Sequence, residues 1–571
     1  MNSYTYKGRL ALGVRHMGYT LLLLFTAQAQ PQPDPSASVR GIVTNAATGE
    51  GLRKAHLRLA SIGRGSAYPV VSNDQGTFGI ENIAPGNYRL DVECTGFLDT
   101  WYGGGTEPDD AVELRLSAGD RLTGIEIKMT PQAVLSGRVL DQDGDPWPRA
   151  NISVFHSVWK KGRRHIEPAE SIGSPQVDDR GEFRFAGLAP GRYYVFAEPD
   201  GMWEEQHHPE VNNQPAIRQQ PTWYPSSPDV ESASPITLAA GQQLNGLDIR
   251  LRLGTGSKLR IRGKVLGYEN IPKPSGDPRM VGRRVSARRT STAVGEDSYG
   301  GGGGAIRSDG TFEINFLPSG TYDVWVRQGF PDSSILGHTT VQVDNRDVEN
   351  VSIELHPPQT LHVTVRIDGD EATKPQQLQV YLGQADVQSG FDPFPISKED
   401  GSFDFLDLGL GRYRVNTPGL AYLHLYLKTL RYGNAESSDG TFTLSSYGVP
   451  LELVFSTHGA RLSGTVTGRA ATPQVILIPD TPDAARREHE TRAAVFDQNG
   501  VFSLESIAPG SYKLYAFEKV PEGVWLDPDF LKEIESEGVA FVAAEGDAKI
   551  IQAPLLGKAE TDRVLAKLGI E

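Results

Sequence analysis

The chain has 571 residues, with 56 Lys and Arg against 71 Asp and Glu, a formal net charge of −15. That length exceeds what one hydrophobic core sustains and fits four or five domains. The acidic balance argues against nucleic acid or an anionic membrane as main partner, and the lone cysteine, Cys94, excludes an internal disulfide, leaving packed cores to supply stability.

Residues 1–29 read as a signal peptide. Lys7, Arg9 and Arg15 precede the apolar run 19–25, and Ala27-Gln28-Ala29 fits the small-x-small cleavage pattern. The run falls short of the ~20 residues of a membrane span, and no cysteine follows it to take a lipid anchor. The expectation is an exported protein, periplasmic, cell-surface or secreted, with no transmembrane segment after cleavage.

The strongest signal is a ruler that recurs five times: Gly, one residue, Phe, seven residues, Gly, one residue, Tyr. The copies are Gly76-Phe78-Gly86-Tyr88, Gly181-Phe183-Gly191-Tyr193, Gly310-Phe312-Gly320-Tyr322, Gly401-Phe403-Gly411-Tyr413 and Gly500-Phe502-Gly510-Tyr512. Fixed spacing repeated at roughly 100-residue intervals means tandem copies of one small domain. Within a copy, Asn73-Asp74-Gln75-Gly76 is a turn and Phe78 alternates with Ile80 as on a half-buried strand. Ala84-Pro85-Gly86 turns the chain again, and Tyr88, Leu90, Val92 and Cys94 alternate along the next strand. The ruler Phe and Tyr residues are thus expected to be core.

Each ruler follows an opener such as Val39-Arg40-Gly41-Ile42-Val43, Leu135-Ser136-Gly137-Arg138-Val139, Ile261-Arg262-Gly263-Lys264-Val265 or Leu462-Ser463-Gly464-Thr465-Val466; the fourth, Leu361-His362-Val363-Thr364-Val365, lacks the glycine. Two further alternating runs close each unit. Six or seven short strands per roughly 100 residues predict an antiparallel β-sandwich. The expected fold is all-β, a tandem array of five such sandwiches: 30–131, 132–256 with long loop insertions, 257–357 with a glycine-rich loop at 300–304, 358–457 and 458–556, ending in a C-terminal helix over 557–571. Trp325 falls out of phase with Tyr322, Val324 and Val326 and should face away from its core.

The opener, the "NDQGTFGIENIAPGNYRL" block and their equivalents resemble the carboxypeptidase regulatory-like domain, a transthyretin-like sandwich related to collagen-adhesin B-type repeats, over about 39–556. The resemblance implies a transthyretin-like, carbohydrate-binding-like fold. It implies little about function, because such domains serve adhesins, transporter plugs, peptidase accessory regions and carbohydrate-binding proteins.

Catalytic patterns are scarce. There is no His-Glu-x-x-His helix and no Gly-x-Ser-x-Gly elbow, and the one His-x-x-Glu pair, in His207-His208-Pro209-Glu210, contains a proline that opposes a regular helix. No enzyme activity, cofactor or metal is expected. Aromatic pairs point instead to binding. Trp101-Tyr102 and Trp223-Tyr224 recur at equivalent places before the closing strands, beside Gly103-Gly104 and Pro225-Ser226, where an indole can present its face to a sugar ring. The same pairs could pack the sandwich ends. Three functions follow: an exported carbohydrate-binding or scaffold protein with a polysaccharide or protein partner at the cell envelope, a structural or protein-interaction stalk, and a peptidase accessory or unrecognised hydrolase.

Overall fold

The computed structural model describes residues 36–569 apart from short stretches, the longest being 201–216, 270–283 and 291–301. The expected signal peptide and the His207–Glu210 motif lie outside the described residues. The remainder is a tandem array of five β-sandwiches. Their cores span 37–129, 133–251, 261–355, 361–455 and 460–553.

The first sandwich shows the plan. Its strands are β1 (Ala37–Asn45), β2 (His56–Ser61), β3 (Ala67–Val71), β4 (Thr77–Ile83), β5 (Gly86–Glu93), β6 (Thr100–Trp101), β7 (Leu114–Leu116) and β8 (Arg121–Met129). One sheet runs β4-β1-β8, antiparallel on one side of β1 and parallel on the other. The facing sheet runs β3-β2-β5-β6, with β7 also paired to β5. In the fifth sandwich the strand Ala548–Leu556 pairs with members of both sheets and joins them.

The ruler has a contact explanation. All five ruler Phe residues are buried, from 0% exposed at Phe502 to 6% at Phe78. In four sandwiches the Phe lies directly opposite the opener glycine: Gly41, Gly137, Gly263 and Gly464 pair with Phe78, Phe183, Phe312 and Phe502. A Cβ on Gly464 would sit 1.7 Å from the Ile551 carbonyl oxygen and 2.8 Å from the Phe502 ring. The opener glycine therefore leaves room both for the ring and for the parallel strand beyond it. Where the fourth opener has Val363, it pairs with Phe403 on the antiparallel side and with Leu451 on the parallel side, the latter in unbroken register.

The ruler Tyr closes the turn before it. Each hydroxyl donates to the carbonyl four residues earlier: Tyr88 to Ala84 at 2.7 Å, Tyr193 to Ala189 at 2.7 Å, Tyr322 to Pro318 at 2.8 Å, Tyr413 to Gly409 at 2.8 Å and Tyr512 to Ala508 at 2.9 Å. The ring fills the core while its polar tip bonds a carbonyl of the turn that ends in the ruler glycine. Asn and Asp build the turn before the Phe. Asn73 accepts from the amides of Gln75 and Thr77, and Asp497 from those of Asn499 and Val501.

One expectation needs correction. Part of the glycine run read as a loop, Gly302–Ala305, is a strand paired with Arg284–Thr290. It passes so close to the neighbouring strand that a Cβ on Gly304 would lie 2.1 Å from the Glu313 carbonyl oxygen, so the glycines serve packing there. The C-terminal helix begins at Lys558 and runs to Lys567; Val564 and Leu565 are buried against Ile476, Tyr515 and Phe517 on the outside of the fifth sandwich. Trp325 faces away from its own core as expected, but is buried against Ile335.

Two predictions follow from this packing. Phe502→Ala should destabilise the fifth sandwich by about 3–5 kcal/mol and leave the third, with which it shares no described contact, unchanged, as read by calorimetric transitions. The second concerns Asp439. Burial alone would raise its pKa, but hydrogen bonds from Ser437 and Thr441, each 2.7 Å from Oδ1, and the Arg412 charge hold it at about 2. Its stabilisation is then complete above the ~3.9 of a free aspartate and drains away as pH falls toward the folded value. The difference in melting temperature between wild type and Asp439→Asn should close between pH 4 and 2; a pH-independent difference would refute this origin.

Candidate functional site

The second sheet of the first sandwich carries an outward row of polar and aromatic groups. Along β5, Tyr88, Leu90 and Val92 point into the core, so Asp91 points out. β2 sets Arg58 opposite Asp91, and β6 sets Trp101 opposite Asp91 on its other side. Directly opposed residues share a face, so Arg58, Asp91 and Trp101 stand side by side across three strands. Arg58 Nε donates to Asp91 Oδ1 at 3.0 Å. Burial pushes the Asp91 carboxyl pKa up, and the Arg58 charge and hydrogen bond oppose it. Burial also raises the neighbouring Asp99.

The loop after β6 holds the indole in place. The Trp101 amide donates to the Gly105 carbonyl at 2.9 Å, and the Gly104 amide returns to the Trp101 carbonyl at 2.9 Å. Gly103 and Gly104 take φ of 112° and 93°, which a side chain would resist. Trp101 is half-buried on the outer face. Tyr102 turns the other way and packs against the first core, where burial raises its pKa.

The second pair occupies the same place in its sandwich. The Tyr224 amide donates to Val195 O as the Tyr102 amide does to Leu90 O, at 2.9 and 2.8 Å. The surroundings differ. Trp223 lies opposite Phe196, where the first sandwich has Asp91. Its ring centroid is 4.8 Å from Phe196 and 5.3 Å from Phe155. Ile166, Tyr194, Val230 and Ala233 complete a cluster that leaves Trp223 only 3% exposed. Tyr224 packs against the second core. The structure thus gives Trp101 an open polar neighbourhood and Trp223 a closed apolar one.

The other sheet of the second sandwich carries a polar groove of about 780 Å³, lined by Ser136, Arg138, Gln176, Asp178, Glu182 and Arg184 over a floor that includes Gly137 and Gly246. Ser136 Oγ donates to Asn245 Oδ1 at 2.6 Å, and Arg138 makes two bonds to Asp248 at 3.2 and 3.0 Å. Gln176, Val177 and Asp178, which follow the short edge strand Ile172–Gly173, line the groove on one side. Sequence reasoning missed this groove, because outward charges on alternating strands read as an ordinary solvated face; Ser136/Arg138 and Glu182/Arg184 facing each other across paired strands were the available signal. Among the described residues, no three His, Cys, Asp or Glu stand together as metal ligands, and no helix is long and apolar enough to cross a membrane.

Residues 38–130 and 134–252 match the carboxypeptidase regulatory-like domain. No curated protein matches the chain. Among solved structures, the chain is similar to the Bacillus anthracis TIE protein (11% identity, 73% of this chain and 67% of that one, TM-score 0.13). It is also similar to the minor pilin of Streptococcus agalactiae (14%, 39% and 99%, TM-score 0.21) and the major pilin SpaD of Corynebacterium diphtheriae (8%, 58% and 100%, TM-score 0.15). At scores this far below one half, nothing about the activity of this chain follows from them. The aromatic pairs and the groove all lie on the first two sandwiches, the part of the chain that is similar to the carboxypeptidase regulatory-like domain.

Proposed function

We propose that the chain is an exported, non-catalytic scaffold that binds polysaccharide on the outer face of its first sandwich. The observation that carries this reading is the row Arg58, Asp91, Trp101. A sugar ring stacked on an indole offers hydroxyls at its rim. Asp91 accepts hydrogen bonds from such hydroxyls, and Arg58 both holds the carboxylate in place and donates to a second hydroxyl. A flat sheet face rather than a deep pocket suits a polymer, which enters from the side and continues past the site. The groove on the second sandwich, lined with both signs of charge, suits a further stretch of a polar chain.

Polysaccharide pull-down tests the reading. Trp101→Ala should lower retention by about tenfold or more, the loss of a stacking contact of roughly 1.5 kcal/mol. Trp223→Ala should instead lower the melting temperature of the second sandwich and leave retention by the first unchanged. Retention that survives Trp101→Ala removes the row from the site. A wild type held by no polysaccharide would leave a protein partner or a structural stalk as the function.

A further inference from the structure

The fifth sandwich meets the first two through a contact built for close approach. The strand Ala150–Lys160 pairs with Gly191–Pro199 only as far as His156. Beyond that it continues with Arg163–Pro168 as a two-stranded ribbon that leaves the body of the second sandwich. Near its tip, Trp159 packs onto the apolar cluster outside the fifth sandwich, with Val520, Val524, Phe530, Ile534 and Tyr515. The receiving segment is the single turn Val524–Leu526 leading into helix Pro528–Glu533, whose first amides are capped by Asp527 at 2.9 and 2.8 Å.

Both sides of the contact place a glycine where only a glycine fits. A Cβ on Gly162 would lie 2.3 Å from the Leu526 carbonyl oxygen, and one on Gly523 would lie 2.4 Å from the Trp159 carbonyl oxygen. The ribbon and the turn are reciprocally shaped at the backbone. A second contact joins the first sandwich to the fifth. The Glu113 amide donates to the Phe496 carbonyl at 2.8 Å, the Arg115 amide donates to Gln498 Oε1 at 3.1 Å, and Gln498 Nε2 returns to the Arg115 carbonyl at 3.0 Å. Glu113 and Asp497 form a parallel β-bridge across this boundary.

We infer that the ribbon is a clasp whose partner is the chain's own fifth sandwich, so that the array closes on itself rather than extending as a rod. Backbone at van der Waals limits on both sides, an indole held in an apolar cluster and a β-type pairing 383 residues apart in sequence act together. The apolar outer face of the fifth sandwich is thereby covered from three sides, by its C-terminal helix, by helix Pro528–Glu533 and by Trp159. The inference stands apart from polysaccharide binding, since it concerns which surfaces the sandwiches keep for one another.

Small-angle X-ray scattering of the whole exported chain tests it. A closed array should have a radius of gyration of about 30 Å, and five sandwiches end to end about 50 Å. Gly162→Asn and Gly523→Asn should each raise the radius by roughly a third, because Asn tolerates positive φ but adds the clashing Cβ. Gly546→Asn, at a similar φ of +74° with nothing within 4 Å of its Cβ, should leave the radius unchanged. Circular dichroism checks that the β content survives in each variant. An extended wild type overturns the inference, and that measurement needs no variant to fold. A compact wild type whose radius ignores both glycine changes also overturns it, because the ribbon would then hold nothing.

Discussion

The fold rests on one contact made repeatedly: a phenylalanine ring laid over a glycine on the adjacent strand. The glycine admits the ring on one side and a parallel strand on the other, within distances no Cβ allows. This seats the first strand of a sandwich between the ruler strand and the last strand, and so joins the two ends of roughly 100 residues of chain. The tyrosine ten residues on from each ruler phenylalanine secures the facing sheet through its bond to the turn. Sheet pairing, register and inter-sheet packing follow from these two rings. The fourth sandwich departs from this contact. There Val363 stands in place of glycine, and the sheet has six strands, with Pro395–Ser397 added at one edge and Tyr426–Tyr432 and Ala435–Ser437 at the other.

Equivalent positions on a repeated scaffold take opposite roles when one neighbour changes. Trp101 and Trp223 leave the same backbone position, held by the same amide-to-carbonyl bond from the next residue. Asp91 beside the first and Phe196 beside the second decide the difference. A carboxylate paired to Arg58 keeps its surroundings hydrated, whereas Phe196, Phe155 and Tyr194 draw an apolar cover over the other indole. The repeat supplies a frame, and the outward residues of its second sheet determine whether a face stays open or is covered.

The units are also unequal in what they touch. Junctions between successive sandwiches use short polar braces, such as Gln132 bonding Gly96 and Phe97, or Tyr426 and Lys428 both meeting Glu545. The fifth sandwich adds an apolar outer surface, and it is there that the helices and Trp159 gather. Burial of that surface is the driving force available for contacts distant in sequence. Exposed ion pairs along the array contribute little by comparison.

By itself the sequence determined the five-fold repeat, the all-β sandwich class, the buried ruler rings and the turns before and after them. These are local: alternation, turn residues and spacing act within a few residues of one another. The irregularity four residues after Phe78, Phe183, Phe403 and Phe502 has no sequence signature, since Asn82, Gly187, Asp407 and Ser506 share a left-handed backbone but no single residue type. Only the tertiary structure decided that Trp101 faces out among Asp91 and Arg58 while Trp223 is enclosed, because that depends on which strands become neighbours. It alone gave the glycine-rich segment Gly302–Ala305 a strand partner and put the tip of one sandwich's hairpin against another. Such contacts depend on shape matched across hundreds of residues, and no local pattern in a chain encodes which surfaces will meet.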